Sequence, residues 1–454
     1  MTKASIAVLL STIGWAVMAG VSYASPVSAA STGPTSMVSP AGFKADIQAM
    51  RADIRATHPQ LSYTANVGAL DRVIARLVAG VHKPITREEA WRRLATLNPV
   101  FSDGHLAIIV HDWRKHAAEY LAKGGAFFPF EVWVNPQGRV LILSALGGGT
   151  TPLKGERITS INGVPIHRIA KQLLARAHGD TPTFRAALLS KRWWWYFWKM
   201  YGAKPEFTIG VAGKARPVEV PASTASPIEL QDQAFKEEFQ FALKPPDAAA
   251  LTIRSFYWKD KNRYFAFMKD AFAKIKRAHV SRLVIDIRDN GGGDDDMWMH
   301  GILDYIADKP YRWGSTYKKK IIAKYRDKGE VVGDVKVGKI QSVIQPKLDN
   351  PLFFHGKTYV LIGPYTYSSA ILFANVVRDY GFATVAGSGD SAKVGQTGGL
   401  QAFILPNTGL EFDCPRFYLL PPSGEAGRGL LQPEIALPYD PLQPQRAIQA
   451  LLNR

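Results

Sequence analysis

Three stretches in the second half of this sequence carry residue types that could do chemistry together. The run PYTYSSAILFANVVRDYG, Pro364 to Gly381, reads as a small turn with two serines leading into a helix. Ser368 would sit at or just before that helix, where the dipole and the free N–H groups favour developing negative charge. This is the logic of a nucleophile elbow, although the Gly-x-Ser-x-Gly string is absent. A serine ahead of a helix is equally an N-cap, and the local sequence leaves both readings open. Upstream, DIRDNGGGDD, Asp286 to Asp295, ends a short apolar strand in three glycines. Glycines at the end of a strand let a backbone N–H approach a ligand closely; the plainer reading is a flexible turn. No Gly-Lys-Ser/Thr follows, so this is not a phosphate loop. Downstream, Lys393 lies in the glycine-rich stretch GSGDSAKVGQTGGLQAFILPNTGLEF, Gly387 to Phe412. A lysine desolvated beside a serine can lose its charge and act as a general base, whereas a lone loop lysine is ordinarily solvated. The histidines show no ligand spacing such as His-x-x-x-His, so no metal is expected, and no cofactor is implied.

These stretches need a scaffold, and the sequence predicts one of alternating strands and helices from about Ala248 onward. Ala250–Ile253, Leu283–Ile287, Lys357–Ile362 and Ala383–Ala386 read as strands, and Tyr264–Arg277 and Ala370–Tyr380 as helices. That alternation argues for a layered α/β core. Before it, helical periodicity dominates to about Asn98: a helix from Phe43 past Ile54, a second through Leu70, Val73, Ile74, Leu77 and Val78, and a third opened by a capping box, Thr86 with Glu89. Strands are then expected at Leu106–Val110, Val140–Leu143 and Arg157–Ile161. An Asn162-Gly163 hairpin turn follows the last of these, then a helix near Ile169–Ala177. The part from Pro152 resembles the distal portion of a PDZ domain, a fold that captures chain ends by strand addition. The aromatic run Trp193–Trp198 reads as a packing segment between domains, with a substrate platform or an interface patch as alternatives.

The order of strand–NGGG, strand–Ser–helix–Tyr-Gly and strand–loop–Lys resembles the tail-specific (C-terminal-processing) serine peptidase family. Relatives of that family include the tricorn protease core and the retinoid-binding photoreceptor repeats. The resemblance covers about Phe43 to Leu452 and is strongest from Ala248. It implies a crotonase-like α/β protease core in which Ser368, first of the triplet Ser368-Ser369-Ala370, is the nucleophile. Lys393 stands at the family's spacing from that serine and inherits the general-base role. In a second arrangement among relatives a histidine from the N-terminal part pairs with the serine. FSDGHLAI, Phe101 to Ile108, resembles that segment and makes His105 the alternative base. Read alone, His105 is a turn residue capped by Asp103. The resemblance further implies an oxyanion hole from the backbone N–H of Ser369 and one glycine of Gly291–Gly293, with Gly292 preferred. Two positions depart from the family: Ile371 replaces an acid, and Thr397 stands where lysine-dyad members carry glutamine, with Gln396 one residue earlier. The activity implied is endopeptidase cleavage of unstructured or C-terminal peptide segments through an acyl-enzyme. A catalytically inactive protein binding peptides or apolar ligands on the same fold is the other reading.

Composition bounds the rest. With 454 residues, 46% hydrophobic and 21% charged, the chain is globular and long enough for two or three domains. The expected division is 1–30 signal peptide, 31–40 linker, 41–100 helical domain, 101–225 PDZ-like β-rich module and 248–454 protease core. The net charge of +18 raises nucleic acid as a partner, but no zinc-finger spacing, basic-region heptad or aromatic RNA-binding signature accompanies it. Lys318–Lys320 reads as a solvated loop. Lys3, the apolar stretch Ile6–Val21 and small-x-Ala sites at Ala24 and Ala29 make a secretory signal peptide. The protein is therefore expected to be exported, periplasmic or secreted, with peptide or protein substrates, no nucleic acid and no stable membrane insertion after cleavage. Cys414, the single cysteine, reads as a small buried hydrophobe.

Overall fold

The computed structural model describes residues 37–110, 112–424 and 429–454; the signal peptide and most of the linker lie outside the described residues. A mixed α/β architecture is built on a six-stranded sheet. Its order is Phe239–Lys244, Ala248–Ile253, Arg282–Asp286, Lys357–Ile362, Thr384–Gly387 and Ile435–Ala436. The first pair is antiparallel and the others run parallel. Both faces are covered, which is why the central strands read as continuous apolar runs rather than alternating ones. Leu251, Leu283, Ile285 and Val360 pack under the helices Lys261–Arg277 and Ser369–Tyr380. Val284, Tyr359 and Leu361, one residue out of phase, pack against Ile448, Leu451 and Leu452 of the helix Gln445–Leu452.

A second sheet runs Val335–Lys339, Thr316–Lys320, Glu411–Leu419, Gln396–Ile404. The short strand Ala107–Ile109 pairs with Glu411–Asp413 across about three hundred residues of chain, with Ala107 opposite Asp413. This pairing carries the segment around His105 to the half of the molecule built on the six-stranded sheet. Lys318–Lys320 belong to a strand, not to the expected solvated loop: Lys318 and Lys319 pair with Tyr418 and Phe417, and the Lys319 ammonium is held 3.0 Å from both Asp327 and Glu330.

The chain between these sheets forms a third, with strands Phe130–Val134, Val140–Ala145, Arg157–Ile161, Glu206–Val211 and Val218–Pro221 in order, and Val164–Pro165 paired to Arg157–Ile161. The Asn162-Gly163 turn has positive φ at both residues, 49° and 76°, as a two-residue hairpin requires. Trp193 to Phe197 lie on the helix Pro182–Tyr201 and are buried in the large core, so the run serves packing. Thr86 accepts from the Glu89 N–H at 3.1 Å. The Glu89 carboxylate instead accepts from Arg93, leaving half of the expected capping box. Cys414 is fully buried and burial pushes its thiol well up.

Candidate active site

Three parallel strands end at one rim of the core sheet, and each delivers a loop there. In open α/β sheets such a rim is where ligands bind. Lys357–Ile362 leads through Pro364–Tyr367 to Ser368. Its backbone, φ 54° and ψ −125°, lies outside the region ordinary residues occupy. A serine held there costs about 1–3 kcal/mol and persists only when its surroundings impose it. They do so here through three contacts. The Tyr367 N–H donates to the Asn290 carbonyl at 3.0 Å, and the Ser368 N–H donates to Gln396 Oε1 at 3.2 Å. Gly292 leaves so little room that a Cβ on it would stand 2.7 Å from Ser368 Cβ. Ser368 precedes the helix Ser369–Tyr380, yet its hydroxyl makes no capping hydrogen bond. Of the two readings of this serine, the N-cap is not realised.

His105 is held on the facing loop. Its backbone N–H donates to Asp103 Oδ1 at 2.8 Å, so the turn seen in the sequence is present. The side chain does more. Nδ1 lies 3.0 Å from Thr397 Oγ1, and Thr397 Oγ1 donates to Asp103 Oδ1 at 2.8 Å. Asp103 is buried. Burial alone would push its carboxyl up, but His58 and His105 together outweigh burial and hold it well below the usual carboxylate range. His58 Nε2 stands 3.7 Å from Oδ2, an electrostatic contact too long for a hydrogen bond. An ionised Asp103 only accepts, so the single Thr397 proton goes to it. The Thr397 oxygen therefore accepts from Nδ1–H, and His105 Nε2 keeps a free lone pair.

The two loops are locked together through Gly104. A side chain there would meet the Tyr367 ring at 2.5 Å. In its absence the Gly104 N–H donates to Tyr367 Oη at 2.8 Å, and Tyr367 Oη donates to Asp180 Oδ1 at 2.7 Å. The His105 and Tyr367 rings pack 5.0 Å apart. His178 Nδ1 lies 3.1 Å from the Gly104 carbonyl, and burial takes that imidazole down to about 3, so it stays neutral. Ser368 and His105 thus face one cleft, which has two chambers. One is small and mostly apolar, about 130 Å³; the other is larger and charged, about 900 Å³. Both are lined by His105, Gly293 and Ser368.

The remaining sequence candidates fall out as follows. Lys393 is not among the residues lining either chamber. Its ammonium donates to the Ser102 carbonyl, and its backbone N–H donates to Asp180 Oδ2 at 3.0 Å. It braces the turn that precedes His105. The Gly292 N–H is already engaged by Asn290 Oδ1 at 2.9 Å. Gly293 lines both chambers. No described group accepts from its N–H, and a Cβ there would fall 2.2 Å from the Phe256 carbonyl oxygen. Ser369 opens the helix, its N–H without an intrahelical partner. Its hydroxyl donates to Asp295 Oδ1 at 2.5 Å and accepts from Trp298 Nε1 at 2.9 Å.

Sequence reading missed Asp103 and Thr397 as supports of His105, Gln396 as the partner of the Ser368 N–H, and Asp295. Thr397 was visible only as a departure from the family. Its meaning depends on which residue sits across the cleft.

Thr397→Val keeps the shape but removes the acceptor for Nδ1 and the donor to Asp103. Any reaction that uses His105 Nε2 as a base is expected to slow by roughly a hundredfold or more with little change in KM, because the imidazole loses its orienting partner. Thr397→Ser restores the rate. Steady-state kinetics of the two variants check this.

Residues 247–436 match the model of peptidase family S41. The solved structure of mature CPAF superposes with a TM-score of 0.62 at 12% identity, over 90% of this chain and 96% of that one. CPAF complexed with lactacystin gives 0.62 at 12% identity, over 91% and 98%. The photosystem II D1 C-terminal processing protease aligns over 88% of this chain and 93% of its own at 13% identity, with a TM-score of 0.46. Likeness to CPAF at this identity establishes a shared fold.

Proposed function

This chain is a serine peptidase carrying a family S41 domain at residues 247–436, and from that premise we propose that Ser368 is its nucleophile and His105 its general base. The observation that carries the reading is the hydrogen-bond chain from Asp103 through Thr397 to His105 Nδ1. It leaves Nε2 unprotonated in the cleft that holds the strained serine. Nε2 takes the Ser368 hydroxyl proton as Oγ attacks the substrate carbonyl carbon. The carbonyl oxygen becomes an oxyanion between the N–H groups of Ser369 and Gly293, at a helix N-terminus. Collapse breaks the C–N bond, and the imidazolium returns its proton to the leaving amine. Water, deprotonated by the same nitrogen, then hydrolyses the Ser368 ester. Asp103 stays ionised and steadies the imidazolium through Thr397.

The substrate is a peptide or protein segment in extended form. The strand Gln396–Ile404 ends its sheet on the cleft side, and Gly398, Gly399 and Leu400 line the small chamber. A peptide would add to that edge as a further strand. The reading includes the division at 41–100, 101–225 and 248–454, a PDZ-like middle module that guides the substrate, and export by the N-terminal signal. Among the described residues no helix is long and apolar enough to cross a membrane.

A fluorophosphonate probe tests the reading. It is expected to add once to the folded protein, on the peptide that contains Ser368; labelling elsewhere, or none, counts against it. Lys393→Met separates the two bases. Losing the ammonium from the Ser102 carbonyl should destabilise the fold by about 2 kcal/mol, read as a lower Tm. The labelling rate should fall less than about tenfold, because Lys393 acts on the loop and not on the hydroxyl.

A further inference from the structure

The small chamber beside Ser368 has an unusual lining for a strongly basic protein. Its walls are apolar, with Met299, Trp313, Leu372, Phe417 and Leu419 among them, yet Asp295 and Asp296 also face it, and among the described residues no lysine or arginine does. The chain as a whole carries a net charge of +18. The neighbouring acids are compensated: Lys261 lies 3.0 Å from Asp294 and 3.5 Å from Asp296. Among the described residues Asp295 has no such cation. Its Oδ1 accepts from Ser369 Oγ and from Trp298 Nε1, at 2.5 and 3.1 Å, and no described group donates to Oδ2. Burial pushes the carboxyl up to about 6 against the two hydrogen bonds that lower it, with Asp296 and Asp294 adding to the rise. A desolvated carboxylate short of donors at the end of an apolar chamber is the complement of a side chain with an aliphatic stem and a cationic head.

We infer that this chamber receives the side chain of the residue whose carbonyl is attacked, and that Asp295 makes it select for lysine or arginine there. The inference rests on Ser368 being the nucleophile, since the chamber is placed by its contact with Ser368 and Ser369. The stem lies against Met299, Leu372 and Phe417 while the head donates to Asp295 Oδ2. A neutral side chain of the same length would fill the walls but leave the carboxyl without its partner, the kind of mismatch that discriminates strongly.

The experiment compares two peptides identical except at the scissile residue, lysine in one and norleucine in the other, with the full-length mature protein at pH 8. At that pH the Asp295 carboxyl is ionised. The expected result is a kcat/KM for lysine at least about tenfold above that for norleucine. In Asp295→Asn the ratio should fall to about one or below, with folding checked by Tm. A wild-type ratio at or below one overturns the inference whether or not the variant folds, and so does a ratio unchanged in a folded Asp295→Asn. Cleavage of neither peptide together with no fluorophosphonate labelling of Ser368 overturns the catalytic reading instead, and this inference with it.

Discussion

Ser368→Ala is expected to lower kcat for peptide cleavage on the order of 10⁶-fold, about 8 kcal/mol of lost barrier reduction. The size follows from what the elbow does. The strained backbone at φ 54° aims one hydroxyl into the cleft, and no other described hydroxyl shares its position. Ser369 is next in sequence, but its Oγ is bound between Asp295 and Trp298 and cannot replace it. The same geometry predicts a small effect on folding. The Ser368 hydroxyl makes no capping bond, and alanine carries the same backbone strain, so Tm should move by no more than a degree or two, roughly the scale of an exposed substitution. Residual activity within about a hundredfold of wild type in the folded variant would sink Ser368 as nucleophile. The measurement is single-turnover cleavage of an unstructured peptide.

His105→Ala is the second large effect, a loss on the order of 10⁴–10⁶-fold in kcat. Without Nε2 the hydroxyl attacks at its own acidity and the leaving amine departs unprotonated. Because the two residues act as one unit, the Ser368→Ala/His105→Ala double variant should be no worse than Ser368→Ala alone, a non-additivity that independent contributions do not produce. The fluorophosphonate labelling rate should fall in step with kcat in His105→Ala and stay close to wild type in Lys393→Met. A labelling rate in His105→Ala within tenfold of wild type, with Lys393→Met dead, would return the base to Lys393. The ground for the expected order is geometric. The Lys393 ammonium is spent on the Ser102 carbonyl, while His105 is oriented by Thr397 and Asp103.

The parts of this site differ in how far they could be read before folding. Local patterns were legible. The strand Arg282–Asp286 followed by its glycines, the helix after Ser368 and the Asn162-Gly163 turn all depend on neighbours in sequence, and all are where the sequence predicts them. Lysine-rich strand Thr316–Lys320 was not legible, because its pairing with Phe417–Leu419, and not its composition, decides its state. The choice between glycines was likewise hidden. Gly291, Gly292 and Gly293 are alike in sequence, and only their folded surroundings, Asn290 on the Gly292 N–H and the Phe256 carbonyl against Gly293, tell them apart.

By itself the sequence determined the α/β class of the second half, the serine with its helix and its glycine loop, and two candidate bases, Lys393 ahead of His105. These follow from short-range physics: apolar periodicity, helix starts and the conformational freedom of glycine. Only the tertiary structure brings His105 together with the groups that orient it. Asp103, Thr397 and His105 meet because Ala107–Ile109 pairs with Glu411–Asp413, joining chain segments some three hundred residues apart. A proton's position on an imidazole is set by what lies within about 3 Å of the other nitrogen, and no spacing along the chain records that.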